Sequence, residues 1–206
     1  MKPFVALLLM MLASPLLFCQ SFKGGLMAGL STTQVDGDTY SGYNRFGIIG
    51  GAYVGLDLSP KFAWQLEMKF FQKGSYKKQN QNAGDFTTYN LRLNYIEMPF
   101  LIKYKFKTKF NFEAGLSLGY LAGVKEGNED GPYPSNLLIP FHKAELSYLF
   151  GVYYQLFKKL SFNVRYEYSV LPIREHINGE RWILFQRGQF NNVIGFSFYY
   201  QINKPE

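Results

Sequence analysis

From residue 21 onward the chain alternates apolar and polar residues with a period of two, in segment after segment. In FAWQLEMKF, Phe62, Trp64, Leu66, Met68 and Phe70 fall on one side and Gln65, Glu67 and Lys69 on the other. A strand sends successive side chains to opposite faces, whereas a helix would scatter both sets. The pattern returns with Phe110, Phe112, Ala114, Leu116, Leu118 and Tyr120 opposite Asn111, Glu113, Gly115, Ser117 and Gly119. Leu160, Phe162, Val164, Tyr166 and Tyr168 likewise oppose Ser161, Asn163, Arg165, Glu167 and Ser169. Ile194, Phe196, Phe198, Tyr200 and Ile202 oppose Gly195, Ser197, Tyr199 and Gln201. Such strands have two unlike faces, so the sheet they build separates two environments.

The connections alternate in length. Asp57–Lys61, Lys107–Lys109 and Phe157–Lys159 are short; Thr32–Asn44, Lys77–Asn90, Lys125–Phe141 and Leu171–Gln186 are long and rich in Gly, Asn, Asp, Pro and Ser. Three short and four long connections predict about eight antiparallel strands in an up-and-down meander, the smallest closed size of the membrane barrels. No helical stretch, linker or second domain interrupts residues 21–206, which read as one all-β barrel domain.

Residues 1–20, MKPFVALLLMMLASPLLFCQ, break the alternation with Lys2, an apolar run from Phe4 to Leu12 and Pro15. They read as a secretory signal peptide cleaved near Cys19 or Gln20. A membrane anchor would need about 20 uninterrupted apolar residues, which Ser14 and Pro15 deny it. Bulky Phe18 before Cys19 argues against lipidation. Cys19 is the single cysteine, so its loss with the leader leaves neither disulfide nor thiolate ligand.

Alternation alone fits a soluble lipocalin-like barrel, apolar inside, as well as a membrane barrel, apolar outside. The composition of the faces separates them. One face carries Glu67, Lys69, Glu97, Lys103, Glu113, Glu145, Arg165 and Glu167 among glycines and serines; the other carries Phe, Tyr, Leu, Ile, Met and Trp. Eight strands leave an interior only wide enough for its own side chains. The large apolar residues therefore belong against lipid, with Tyr and Trp near the interfaces, and the eight ionisable residues form a charge network in the lumen. In hydrocarbon an open edge strand would leave backbone groups unpaired at several kcal/mol each, so the sheet should close. Pro99, lacking an N–H, is expected to produce a bulge or local bend.

These features come together in a resemblance. The opening strand KGGLMAGLS, the hairpin FGIIGGAYVGLDLSPKFAWQLEMKFFQKGS, LNYIEMPFLIKYKF, FEAGLSLGYLAG and the closing GFSFYY resemble the PorT-like outer-membrane β-barrel proteins, a porin family of Bacteroidota, over essentially all of residues 21–206. YIEMP, from Tyr95 to Pro99, is the most specific match. The resemblance implies an outer-membrane fold with no common reaction. A namesake's part in type IX secretion does not transfer with the fold. Outer-membrane chains usually finish on an aromatic, whereas Gln201–Glu206 follow Tyr200 here.

The ionisable residues do not form a known catalytic pattern. One type of lipid A deacylase barrel spaces its histidine and serine as H-x-S; His142 precedes Lys143 and Ala144, and His176 precedes Ile177 and Asn178, so neither fits. Glu97 and Glu113, beside Lys103 and Arg165, read as ion-pair partners rather than an acid–base pair. Asp36 with Asp38, and Glu126 with Glu129 and Asp130, are weak acidic clusters that do not amount to a Ca²⁺ site. No catalytic, cofactor or metal residue is expected. The formal charge of +7 does not signal nucleic acid. Lys61, Lys107, Lys109, Lys158 and Lys159 lie in the short turns, without interleaved stacking aromatics, where they would meet the periplasm and phospholipid headgroups.

The sequence thus predicts a non-enzymatic outer-membrane protein in contact with membrane lipid and lipopolysaccharide. Its long loops would engage something outside the cell or other envelope or secretion proteins. The competing readings are a narrow small-solute porin, a lipid A-modifying enzyme and a soluble binder.

Overall fold

A strand in hydrocarbon must find a backbone partner on each side, and the pairing of this chain provides one for each long strand. The computed structural model describes residues 22–203, apart from 39, 41, 81–83, 135–137, 176–180 and 183–185. The leader, residues 1–20, lies outside them. The strands are β1 (Phe22–Asp36), β2 (Arg45–Asp57), β3 (Phe62–Lys77), β4 (Tyr89–Lys105), β5 (Phe110–Asn128), β6 (Gly131–Pro132), β7 (Ala144–Gln155), β8 (Leu160–Ser169), β9 (Arg181–Trp182), β10 (Gln186–Arg187) and β11 (Phe190–Gln201).

Eight of these build the barrel, in the order β4-β3-β2-β1-β11-β8-β7-β5, and β4 pairs with β5 to close it. All the pairings are antiparallel, and β1 joins first strand to last along twelve register pairs from Gly25↔Gln201 to Asp36↔Phe190. The short β6 pairs with the end of β5, and β9 and β10 pair antiparallel as a separate two-stranded sheet. The barrel strands run from 10 residues in β8 to 19 in β5. A tilted strand crosses the hydrocarbon in about 9–11 residues, so the longest strands project beyond it on the side of the long loops.

The alternation resolves into an outer and an inner wall. Leu26, Leu30, Met68, Phe100, Leu116, Leu118, Phe150, Phe196 and Phe198 are exposed on the outside, an apolar band for lipid. Tyr168, expected with them, is instead buried, stacked between Tyr148 and Phe190 with ring centroids 5.8 and 6.0 Å away. The inner wall buries Glu67, Lys69, Glu97, Glu113, Glu145 and Glu167. A soluble barrel would place these faces the other way round.

Two local expectations change. Pro99 makes no bulge: the β4–β5 register passes straight through Met98↔Leu118, Pro99↔Ser117 and Phe100↔Leu116. Toward β3 the pairing stops at Leu66↔Phe100 and resumes in the same register at Lys69↔Glu97. The missing N–H thus opens a gap in the ladder without shifting it, because the hairpins on both sides already fix the register. The irregularity lies higher, between Asn94↔Gly123 and Tyr95↔Leu121, where β5 carries one extra residue, Ala122. That extra residue reverses the inward phase of β5, so Glu113, Ser117 and Leu121 are followed inward by Glu126. Glu126 therefore belongs to the barrel mouth rather than to a loop.

Pro99→Ala is expected to keep the register and gain at most about 1 kcal/mol from a restored ladder hydrogen bond, measured by urea unfolding in lipid vesicles. A loss of several kcal/mol would mean that the proline shapes the strand after all.

Candidate functional site

Glycine sets the geometry of the lumen. Across the sheet, Glu113 on β5, Gly151 on β7, Arg165 on β8 and Gly195 on β11 stand in one register row. A Cβ on Gly151 would lie 2.4 Å from Glu113 Oε1, so only glycine lets Glu113 reach across β7 to Arg165. Gly119 stands in register between Glu97 and Glu145, where a Cβ would make only ordinary contacts.

Two tiers of charge fill the space so made. In the lower tier, nearer the short turns, Arg165 donates from Nη1 and Nη2 to Glu67 at 2.7 and 2.9 Å, and from Nε and Nη2 to Glu113 at 2.7 and 3.1 Å. Asn163 donates to Glu113 at 2.9 Å, and Gln65 and Tyr199 donate to Glu67 at 2.6 and 3.0 Å. In the upper tier Lys73 Nζ lies 2.6, 2.8 and 2.7 Å from Glu97, Glu145 and Glu167, and Lys69 lies 3.0 Å from both Glu97 and Glu167. Asn191 and Ser147 complete Glu145, each donating at 2.7 Å.

The three carboxylates of the upper tier have oxygens within 4.8 Å of one another, a spacing that invites a cation. The Lys73 ammonium occupies that position, donating to Glu145 and Glu167 and forming an ion pair with Glu97, whose two oxygens accept no hydrogen bond. The void between the tiers measures about 10 Å³, at or below the room one water needs.

Among the eight residues singled out in the sequence, seven enter these tiers. Lys103 does not: although it faces Glu113 in register, that carboxylate is turned to Arg165. The Lys103 ammonium instead donates to Gln65 Oε1 and lies 3.6 Å from the Tyr153 ring centroid. Glu97 likewise pairs with Lys69 and Lys73, not with Lys103. Lys73 itself went unread, although it continues the parity of Gln65, Glu67 and Lys69.

Above the tiers the lumen turns apolar. Val35, Tyr89, Leu91, Leu93, Tyr95, Leu121 and Ile173 form a buried cluster, against which Tyr40, Tyr133 and Phe141 pack from three different loops. Arg174 binds Glu126 at 2.8 and 3.1 Å, and Tyr89 donates to the same carboxylate at 2.7 Å. The loops are thereby tied to the mouth. Neither acidic cluster assembles as a metal site: Glu126 points to Arg174 while Glu129 and Asp130 are exposed, and Asp36 accepts from Gln34 and Asn192. His142 is exposed and bonded through its backbone to Ile173; His176 lies outside the described residues.

In the first loop, burial pushes the Asp38 carboxyl up to about 6, against hydrogen bonds from Ser75 and the Tyr40 amide that pull it down. A folded value above the usual 3.8 means the loop favours the protonated acid. That contribution is full below pH 3.8 and is lost as pH rises through about 6. Amide exchange at Tyr40, corrected for its intrinsic pH dependence, should quicken across this window and flatten in Asp38→Asn; a flat wild-type profile would contradict the assignment.

Arg165→Met strips Glu67 and Glu113 of the cation that contacts both and is expected to cost about 3–5 kcal/mol. Gly151→Ala, which displaces Glu113, should cost less but in the same direction. Equilibrium unfolding in vesicles checks both; near-wild-type stability for Arg165→Met would show that the lower tier is not what holds the lumen together.

Comparison with known proteins agrees with this architecture. The attachment invasion locus protein Ail of Yersinia pestis, solved with the heparin analogue sucrose octasulfate, superposes with a TM-score of 0.50 at 10% identity, over 88% of this chain and 99% of that one. Neisserial surface protein A superposes with a TM-score of 0.52, also at 10% identity, over 87% and 97%. At such identity the likeness concerns the fold alone. No curated protein matches the chain by sequence. The family model described as outer membrane protein beta-barrel domain matches residues 18–174, and the chain, a closed eight-stranded transmembrane barrel of the outer membrane, belongs to that family.

Proposed function

We propose that the protein is a non-enzymatic, non-conducting envelope barrel that works through its long loops. The observation that carries this reading is the sealed lumen under a tethered crown: two charge tiers and an apolar cluster close the axis, and Tyr40, Tyr133 and Phe141 fasten three loops to it. A barrel built to pass solute would keep that axis open. A barrel built to present loops gains from fixing them, since ordering them beforehand lowers the entropic cost of binding.

The crown also offers apolar contact. Phe86, Ile139 and Leu171 lie in three different long loops and are 69, 43 and 42% exposed, outside the lipid band where exposure of such residues needs another cause. On the outer wall Arg92 faces Lys125 directly across β4 and β5. Like charges in that position repel, and neither has an ion-pair partner among the described residues. A lipopolysaccharide phosphate would reconcile them. Membership of the PorT-like group of Bacteroidota is the finer reading that YIEMP and the flanking segments support; partnership with secretion proteins would follow from it.

Replacing Phe86, Ile139 and Leu171 together with serine should leave folding intact, seen as an unchanged heat-dependent shift in gel migration. It should remove most of whatever envelope or surface component co-purifies from native cells. Undiminished co-purification would place the contact elsewhere.

A further inference from the structure

The lumen is sealed in the middle and above, but it opens at the short-turn end into a cavity of about 530 Å³ lined by Lys23, Lys103, Lys105 and Lys107 with a single carboxylate, Asp57. Asp57 is shared, lying 2.6 Å from both Lys23 and Lys105. Four ammonium groups against one lining carboxylate make the wall of this concave, partly desolvated space positive, with Glu113 and Glu67 acting on Lys103 from behind it.

Lys103 makes this wall unusual. Lys69, Lys73 and Arg165 each contact two or three carboxylates, and the fold places Glu113 opposite Lys103 in register, yet commits Glu113 to Arg165. Lys103 is left with one amide oxygen and an aromatic face. Nearby, the Gln201 side-chain nitrogen is buried, lines the same cavity and has no acceptor. Lys103 lies in the field of Glu113 and Glu67 but touches neither carboxylate, so a cation without an ion-pair contact and an amide donor without an acceptor face the same space, where an anion would engage both. The turns around the opening add Lys61, Lys109, Lys158 and Lys159 and no acid, a field that draws anions toward the mouth.

We propose that this vestibule binds a phosphate group from the periplasmic side, with Lys103 and the Gln201 amide at its floor and Lys107 at its rim. Multiple ammonium and amide donors match the several acceptor oxygens and double charge of a phosphate better than a monoanion such as chloride. The group could be carried by a soluble phosphate compound or by the headgroup of an anionic phospholipid, and these sources are separable by experiment.

The test uses the full-length folded protein in neutral detergent, titrated calorimetrically with pyrophosphate, and in parallel the protein in vesicles with and without phosphatidylglycerol, scored by urea unfolding. Lys103→Met is the informative variant. Removing Lys103 also takes a cation from the field of Glu113 and Glu67, so the site is scored on binding by the folded variant, which should fall at least tenfold. Lys107→Ala, at the exposed rim, should weaken binding severalfold without touching the fold. Saturable pyrophosphate binding that Lys103→Met abolishes supports the site with a soluble ligand. Stabilisation by phosphatidylglycerol alone, again lost in Lys103→Met, supports it with a lipid ligand. Absence of any Lys103-dependent effect in both arms overturns the proposal.

Discussion

Hydrocarbon offers no hydrogen bonds, and the rest of this structure follows from that constraint. The sheet must close, and it does so by joining β1 to β11 and β4 to β5. Closing at eight strands fixes a narrow bore, and a narrow bore must be filled by its own side chains. Because the apolar residues are needed on the outside, the filling is largely polar, and buried polar groups are tolerable only when paired. Arg165 with Glu67 and Glu113, and Lys69 and Lys73 with Glu97, Glu145 and Glu167, are the pairing that results. Glycine at 151 is the space that lets Glu113 reach Arg165 on a non-adjacent strand.

The two ends of the barrel depart from this solution in opposite ways. At the long-loop end the filling becomes apolar, and the crown is fastened to it through Tyr40, Tyr133 and Phe141. At the short-turn end cations are left in excess around an open vestibule. The asymmetry separates an end where loops are packed onto the lumen from an end where lysines surround an opening.

Much of this was legible in the sequence because the environment on each side of a strand changes at every residue. Phe62 to Phe70 and Phe110 to Tyr120 declare their lipid faces by parity alone, and the same parity collects Glu67, Glu113 and Arg165. Residue type misleads where an aromatic faces inward, and parity fails where it reverses. Phe71 and Tyr95 are fully buried inside the barrel, and only the parity they share with Lys69, Lys73 and Glu97 marks them as inward. Ala122 reverses the phase of β5, which hid Glu126 in an apparent loop cluster. Glu113, read as an ion-pair partner beside both Lys103 and Arg165, contacts only Arg165, and that choice appears only in three dimensions. Pairing choices of this kind depend on side-chain reach across strands, which no linear spacing records.

The central claim is that charge and packing seal the lumen, and single-channel recording in planar bilayers tests it most directly. The folded protein should insert, as judged by its heat-dependent gel shift after recovery from the same lipid, and give no discrete conductance steps over the bare membrane. Reproducible, long-lived conductance steps from the wild-type protein would contradict the account and identify the barrel as a pore.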